Sequence, residues 1–118
     1  ISWEYIMAAG KYDIVIDQGS SFALDLTVQE DGSAKNLNTY SVRSQLRPHI
    51  TSSTLTATFT GTVVNATNGQ LQISLTAAQT AALSPGKYFY DVEIFTSGDA
   101  VVTRLIQGSA VVTPEVTR

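Results

Sequence analysis

Residues 22–29 read Phe22-Ala23-Leu24-Asp25-Leu26-Thr27-Val28-Gln29. Phe22, Leu24, Leu26 and Val28 alternate with Ala23, Asp25, Thr27 and Gln29. That is the two-residue repeat of a strand with one face in a core and one in water. Asp31-Gly32, a strong turn dipeptide, ends the pattern. The same period recurs on both sides of it. Ile14 and Ile16 share a face between Asp13 and Asp17, before the break at Gln18-Gly19-Ser20. Tyr40, Val42, Ser44 and Leu46 oppose Ser41, Arg43, Gln45 and Arg47, and Pro48 stops that strand because it has no N–H for a ladder. A fourth strand runs from Leu55 to about Val64, with a bend at Gly61. Asn68-Gly69 signals a hairpin into a fifth strand that carries Leu71, Ile73 and Leu75 inward.

One segment breaks the period. Thr76-Ala77-Ala78-Gln79 fits a capping box, with Thr76 as N-cap and Gln79 three residues on. The Ala-rich run to Leu83 favours helix, which Ser84-Pro85-Gly86 closes. A sixth strand follows from Lys87 to Thr96, with Tyr88, Tyr90, Val92 and Ile94 on one face. The seventh begins near Ala100 and continues, with a bulge expected at Gly108, to Thr113. About seven short strands separated by turn signals predict an all-β, immunoglobulin-like antiparallel β-sandwich, with one short helix between strands five and six. Tyr88 and Tyr90 fall where such folds place a tyrosine corner.

At 118 residues the chain fits one domain. Residues 7–118 are read as that domain. Residues 1–6 are set apart, either as sequence foreign to it or as a displaced arm in which Ile1, Trp3 and Tyr5 alternate with polar residues. Charged residues make up 14% of the chain, well below the ~25% of ordinary soluble domains. Ser, Thr, Asn and Gln supply the polarity, which suits sheet surfaces. The net charge is −3. Lys11, Lys35, Arg43, Arg47, Lys87, Arg104 and Arg118 are scattered along the sequence, so no nucleic-acid partner is expected. Arg43, Arg47 and His49 form the one local basic cluster, read as a solvated sheet face. No apolar run reaches the ~20 residues of a membrane span, and no charged stretch leads an apolar one, so neither a membrane partner nor an export signal is expected.

The residues of familiar chemistry are missing. A single histidine and no cysteine exclude the usual zinc sets and disulfide staples. No Gly-x-Ser-x-Gly elbow accompanies His49. Asp91 and Glu93 share a strand face, but same-strand neighbours read as a solvated stripe rather than as carboxyls facing across a cleft. Glu30-Asp31-Gly32 lacks the spacing of a calcium loop and reads as a turn. No enzyme, metal or cofactor is expected. A carbohydrate- or ligand-binding module is the alternative, which would need an exposed aromatic platform.

The last hairpin carries the candidate site. With Gly98-Asp99 as a two-residue turn, Phe95 would face Val102, Glu93 would face Arg104 as a cross-strand ion pair, and Asp91 would face Ile106. Phe89, Phe95, Val102 and Ile106 would then make an apolar outer face beside Arg104. A sandwich standing alone keeps that face polar, so Phe89, Phe95, Val102, Arg104 and Ile106 are expected to contact another subunit, another domain or the N-terminal arm.

Several segments also carry a resemblance: Met7-Ala8-Ala9-Gly10-Lys11-Tyr12-Asp13, Gln18-Gly19-Ser20-Ser21-Phe22, Tyr40-Ser41-Val42-Arg43-Ser44-Gln45-Leu46-Arg47, Gly69-Gln70-Leu71-Gln72-Ile73-Ser74-Leu75-Thr76, Pro85-Gly86-Lys87-Tyr88-Phe89-Tyr90-Asp91-Val92-Glu93 and Arg104-Leu105-Ile106-Gln107-Gly108. The chain resembles small structural proteins of tailed bacteriophages, especially of the cyanophage type, and the amino-terminal immunoglobulin-like domain of phage baseplate upper proteins. The resemblance implies a non-catalytic virion component of tail, baseplate or fibre. It would dock to other virion proteins or to copies of itself and assemble in the cytoplasm of a bacterial host.

Overall fold

The computed structural model describes Gly10 to Thr117; the reading of residues 1–6 lies outside the described residues. The strands are β1 (Gly10–Lys11), β2 (Ile14–Asp17), β3 (Phe22–Thr27), β4 (Gln29–Glu30), β5 (Ser33–Ala34), β6 (Ser41–Arg47), β7 (Ala57–Asn65), β8 (Gln70–Leu75), β9 (Gly86–Phe95) and β10 (Val102–Thr113). Helix α1 (Ala77–Ala81) sits between β8 and β9. Its capping box forms as read. Thr76 Oγ1 accepts from Gln79 N at 3.1 Å, and Gln79 Oε1 accepts from Thr76 N at 2.8 Å.

The hydrogen-bonded order is β1-β10-β9-β6-β7-β8-β3, with β2 also on β10. β7 joins two layers. Its first residues pair with β6, Ser44 opposite Phe59 and Leu46 opposite Ala57. From Thr60 onward it pairs with β8. Gly61, where the bend was expected, lies just past the switch. A Cβ there would stand 2.6 Å from the Val42 carbonyl, so the close approach of the two layers requires glycine. One layer is therefore β10-β9-β6 and the other β7-β8-β3, an immunoglobulin-like arrangement of two sheets curled around one shared strand. Tyr88 Oη donates to the Ser84 carbonyl at 2.6 Å, closing the corner that leads from α1 into β9.

The pairing is not wholly antiparallel. β1 and β2 both run parallel to β10. A hairpin cannot connect parallel neighbours, but these strands are separated by nearly the whole chain, so no turn constrains them. Between them the backbone steps over Gly108. Tyr12 N donates to the Gln107 carbonyl at 2.9 Å, Tyr90 Oη donates to the Tyr12 carbonyl at 2.6 Å, and Ser109 N donates to Asp13 Oδ1 at 2.9 Å. Asp31 and Gly32, both at positive φ, close the small β4–β5 hairpin, which lies apart from the main sheets.

The core takes the expected alternate residues. Leu24, Leu26, Leu71, Ile73 and Leu75 from one layer meet Leu46, Tyr90, Val92, Ile94, Ala110 and Val112 from the other, with Ile14 and Ile16 of β2 beside them. Phe59 lies 6.0 Å from Phe22 and 6.2 Å from Tyr90, ring centre to ring centre, both tilted, and so links the two layers. Thr80 of α1 is fully buried. Its hydroxyl donates to the Ser20 carbonyl at 2.8 Å and accepts from Gly19 N at 3.0 Å, docking the helix on the β2–β3 turn.

Two substitutions test this packing by urea unfolding. Gly108→Ala would drive a Cβ into the Tyr12 carbonyl, and a loss of about 1–3 kcal/mol is expected as the backbone is forced apart. Thr80→Val keeps the shape but strips the hydroxyl from the Gly19 amide and the Ser20 and Ala77 carbonyls, with an expected loss of about 1–3 kcal/mol.

Candidate functional site

β10 breaks its alternation once. Val102 faces Phe95 and Arg104 faces Glu93, as the sequence pattern predicts. The ladder then shifts between Arg104 and Ile106, so that Ile106 faces Val92 and Gln107 faces Asp91. Leu105 is the extra residue of a β-bulge, which lies here and not at the Gly108 position expected. Leu105 and Ile106 are each 1% exposed. The expectation that Ile106 faces outward opposite Asp91 is therefore corrected: Ile106 is core. The connection before β10 is also longer than the expected two-residue turn. A 3₁₀ turn over Ser97–Asp99 leads through Ala100, and Thr96 N donates to the Val101 carbonyl at 2.9 Å.

The bulge returns the later part of β10 to the phase of its neighbours, and the outer face of β10-β9-β6 becomes a grid. Its rows are Ser41–Phe95–Val102, Arg43–Glu93–Arg104, Gln45–Asp91–Gln107 and Arg47–Phe89–Ser109, and Lys87 stands opposite Val111 beyond them. Glu93 thus has an arginine on each side. Arg43 takes it, with Nε 2.8 Å from Glu93 Oε1, while Arg43 Nη1 reaches Asp99 Oδ1 at 3.2 Å. Arg104 turns instead to Asp91, Nε to Oδ2 at 3.6 Å, and donates to Gln107 Oε1 at 3.1 Å. The expected Glu93–Arg104 pair is in register but not joined, because the better-placed Arg43 occupies the carboxylate.

Phe89 and Phe95 do face outward, but they form no bare apolar patch. The Arg43 guanidinium lies 4.5 Å over the Phe95 ring and Lys87 Nζ 5.6 Å over the Phe89 ring. Each ring is half-buried under a cationic chain, an arrangement that attracts by the ring quadrupole as well as by covering carbon. Val102 is the one apolar residue of the expected set left open, at 43% exposure.

This face forms one wall of a groove of about 690 Å³. Five of the chain's seven basic residues line it: Lys11, Arg43, Arg47, Lys87 and Arg104. Three carboxylates, Asp13, Asp91 and Glu93, stand among them, with His49 and Ile50 at the rim. The groove is net basic in a chain of net charge −3. Lys11, Arg47 and Lys87 form no ion pair among the described residues. Arg47 spends its donors on Gln45 Oε1 at 2.7 Å and the Ser52 carbonyl. The linear sequence hid this gathering, because residues as distant as Lys11 and Arg104 meet only through the parallel β1–β10 pairing. The local Arg43–Arg47–His49 cluster was its single visible part.

Proton affinities record the crowding. The Glu93 hydrogen bond and the nearby Asp99 hold the Arg43 guanidinium above its ordinary range. The Ser109 amide holds Asp13 below the usual carboxylate value. Partial burial pushes Asp91 up, the Glu93 charge adds to that, and Arg104 and Arg43 oppose it. Burial likewise raises the Tyr90 hydroxyl far above its ordinary range. None of these groups forms a nucleophile–base arrangement, and among the described residues no cluster of His, Cys, Asp and Glu could hold a metal ion. No helix among them is long and apolar enough to cross a membrane.

The chain is thus an all-β sandwich of immunoglobulin-like connectivity with a basic groove on one outer face. No protein-family model matches it, and no curated protein matches it. Its fold is shared with a solved structure, the N-terminal domain of phage TP901-1 ORF48, over 93% of each chain, with a TM-score of 0.62 and 12% identity. At that identity the likeness establishes the fold alone. The chain also aligns with 27% of InlP from Listeria monocytogenes at 16% identity and TM-score 0.45. It aligns with 24% of a family 123 glycoside hydrolase from Clostridium perfringens at 13% identity and TM-score 0.42. Those two scores are too low to carry an argument.

The raised proton affinity of Asp91 has a measurable sign. In the fold its ionised form is disfavoured, so the contribution of this group to stability is full below the ordinary aspartate range and is lost as pH rises through the raised value. Asp91→Asn is therefore expected to raise the melting temperature at pH 7, with the gain vanishing as pH falls below about 4. Thermal unfolding across that interval checks it.

Proposed function

We propose that this chain is a non-catalytic structural module of a tailed-phage virion, belonging to tail, baseplate or fibre, that docks to neighbouring virion proteins through the outer face of β10-β9-β6. The observation that carries the reading is the likeness along nearly the whole of both chains to a domain of a phage protein. The site supports it. A broad groove whose charges are placed by sheet register, with Phe89 and Phe95 lying under cations, offers what a protein surface can use: directional charge at the rim and carbon beneath. The rigid sheet carries these groups without a lid or loop that must order first. Docking needs no group poised for chemistry, and the carboxylates Asp91 and Glu93 are taken up by arginines. Assembly would take place in the bacterial host cytoplasm.

Cross-linking mass spectrometry on purified particles tests the reading. The chain is expected in the particle fraction, with cross-links from Lys11 and Lys87 to other particle proteins. Recovery only in the particle-free supernatant of the lysate would overturn it.

A further inference from the structure

The strand registers set two oppositely charged features at opposite ends of the molecule. At one end lie Thr27 opposite Gln70 and Asn65 opposite Gln70, where β3, β7 and β8 finish or begin. The β4–β5 hairpin follows directly from β3 at this end. It carries Glu30 and Asp31 at its tip, with every residue from Glu30 to Ala34 exposed. Asp31 makes no ion pair among the described residues, and Glu30 has only Lys35 at 3.4 Å. At the other end β7 begins at Ala57, opposite Leu46. Arg47 follows there, opposite Phe89, and Lys87 lies further along in the same direction. Arg47 and Lys87, two of the three groove cations without an ion pair, therefore sit away from the acidic hairpin in a body 44 Å long. Within one copy the registers keep the hairpin at the end of the strands remote from Arg47 and Lys87.

We propose that the groove receives the acidic β4–β5 hairpin of a second copy of this chain, in a head-to-tail contact. The inference rests on the docking reading above and names the partner of that face. Charge complementarity carries it: the groove is net basic and holds Arg47 and Lys87 outside any ion pair, and the hairpin is an exposed two-stranded ribbon with two carboxylates at its turn, of which only Glu30 has a cation, Lys35, beside it. Opposed patches at a contact both steer encounter and select partner and orientation. The contact is heterologous, using different surfaces on the two copies. It builds a ring where the rotation between copies closes and a filament where it does not.

Sedimentation velocity on the full chain over a concentration series tests it. Mass is expected to rise with concentration at low salt. Because exposed charges are screened beyond about 10 Å at 0.1 M salt, association is expected to weaken by roughly tenfold or more when ionic strength is raised to about 0.5 M. Arg47→Glu/Lys87→Glu and Glu30→Lys/Asp31→Lys should each be monomeric while keeping the wild-type circular dichroism spectrum. An equimolar mixture of the two should regain mass, since each reversed surface then meets its complement. A wild-type chain that stays monomeric throughout, a mixture that stays monomeric, or folded variants that assemble as the wild type does would each overturn the proposal. Cross-linking of Glu30→Lys/Asp31→Lys into particles separates this outcome from the broader reading. Cross-links to other virion proteins that persist when self-association is absent leave the docking role standing.

Discussion

Leu105 is the extra residue in the longest strand, and its place in the ladder decides which side chains of β10 meet carbon and which meet water. In a regular strand a buried Leu105 would put both Arg104 and Ile106 on the outer face. The bulge lets Leu105 and Ile106 both enter the core and starts the outer face again at Gln107. Without it Ile106 would stand beside Asp91 on the outer face, and the charged rows of the groove would be broken by an aliphatic side chain. With it, Arg104 lies close enough to Asp91 to pair, which leaves Glu93 to Arg43. The electrostatic pattern of the groove is thus a consequence of core packing, with burial of a second large aliphatic chain worth about 1.5–3 kcal/mol.

A second constraint holds that pattern rigid. β7 belongs to both layers, and Phe59 on it touches Phe22 in one and Tyr90 in the other. Tyr90 in turn pins the Tyr12 carbonyl, and Tyr12 leads into Asp13, whose carboxylate receives the Ser109 amide. The aromatic contact at the centre is therefore connected, through one hydroxyl and one peptide unit, to a wall of the groove. Surfaces that recognise a partner by fixed charge positions gain from such stiffness, because little ordering remains to be done on binding.

The strand pattern was legible because alternation is a local property. Leu24, Ile73 and Val92 show their burial in the residues beside them. The capping box at Thr76 and the turns at Asp31-Gly32 and Asn68-Gly69 are local too. The misreadings of Ile106 and of the bulge at Gly108 come from position 105. Arg104-Leu105-Ile106 gives no local sign that two adjacent aliphatic residues share a side, because the reason lies across the ladder in Val92 and Ile94. The groove was hidden for a related cause. Lys11, Arg47, Lys87 and Arg104 come from four strands, and nothing in the spacing of β1 foretells that it pairs in parallel with β10. Phe89 and Phe95 were placed on the correct face, but the cations that cover them are neighbours only in the sheet or along the strand axis.

The direct measurement is a pair of denaturation curves, for Ile106→Ala and Val102→Ala. Burial of Ile106 at 1% exposure calls for a loss of about 2–5 kcal/mol on truncation, whereas Val102 at 43% exposure should change stability by no more than about 0.5 kcal/mol. An Ile106→Ala variant as stable as the parent, with Val102→Ala the damaging one, would place the bulge elsewhere and dissolve the groove built upon it.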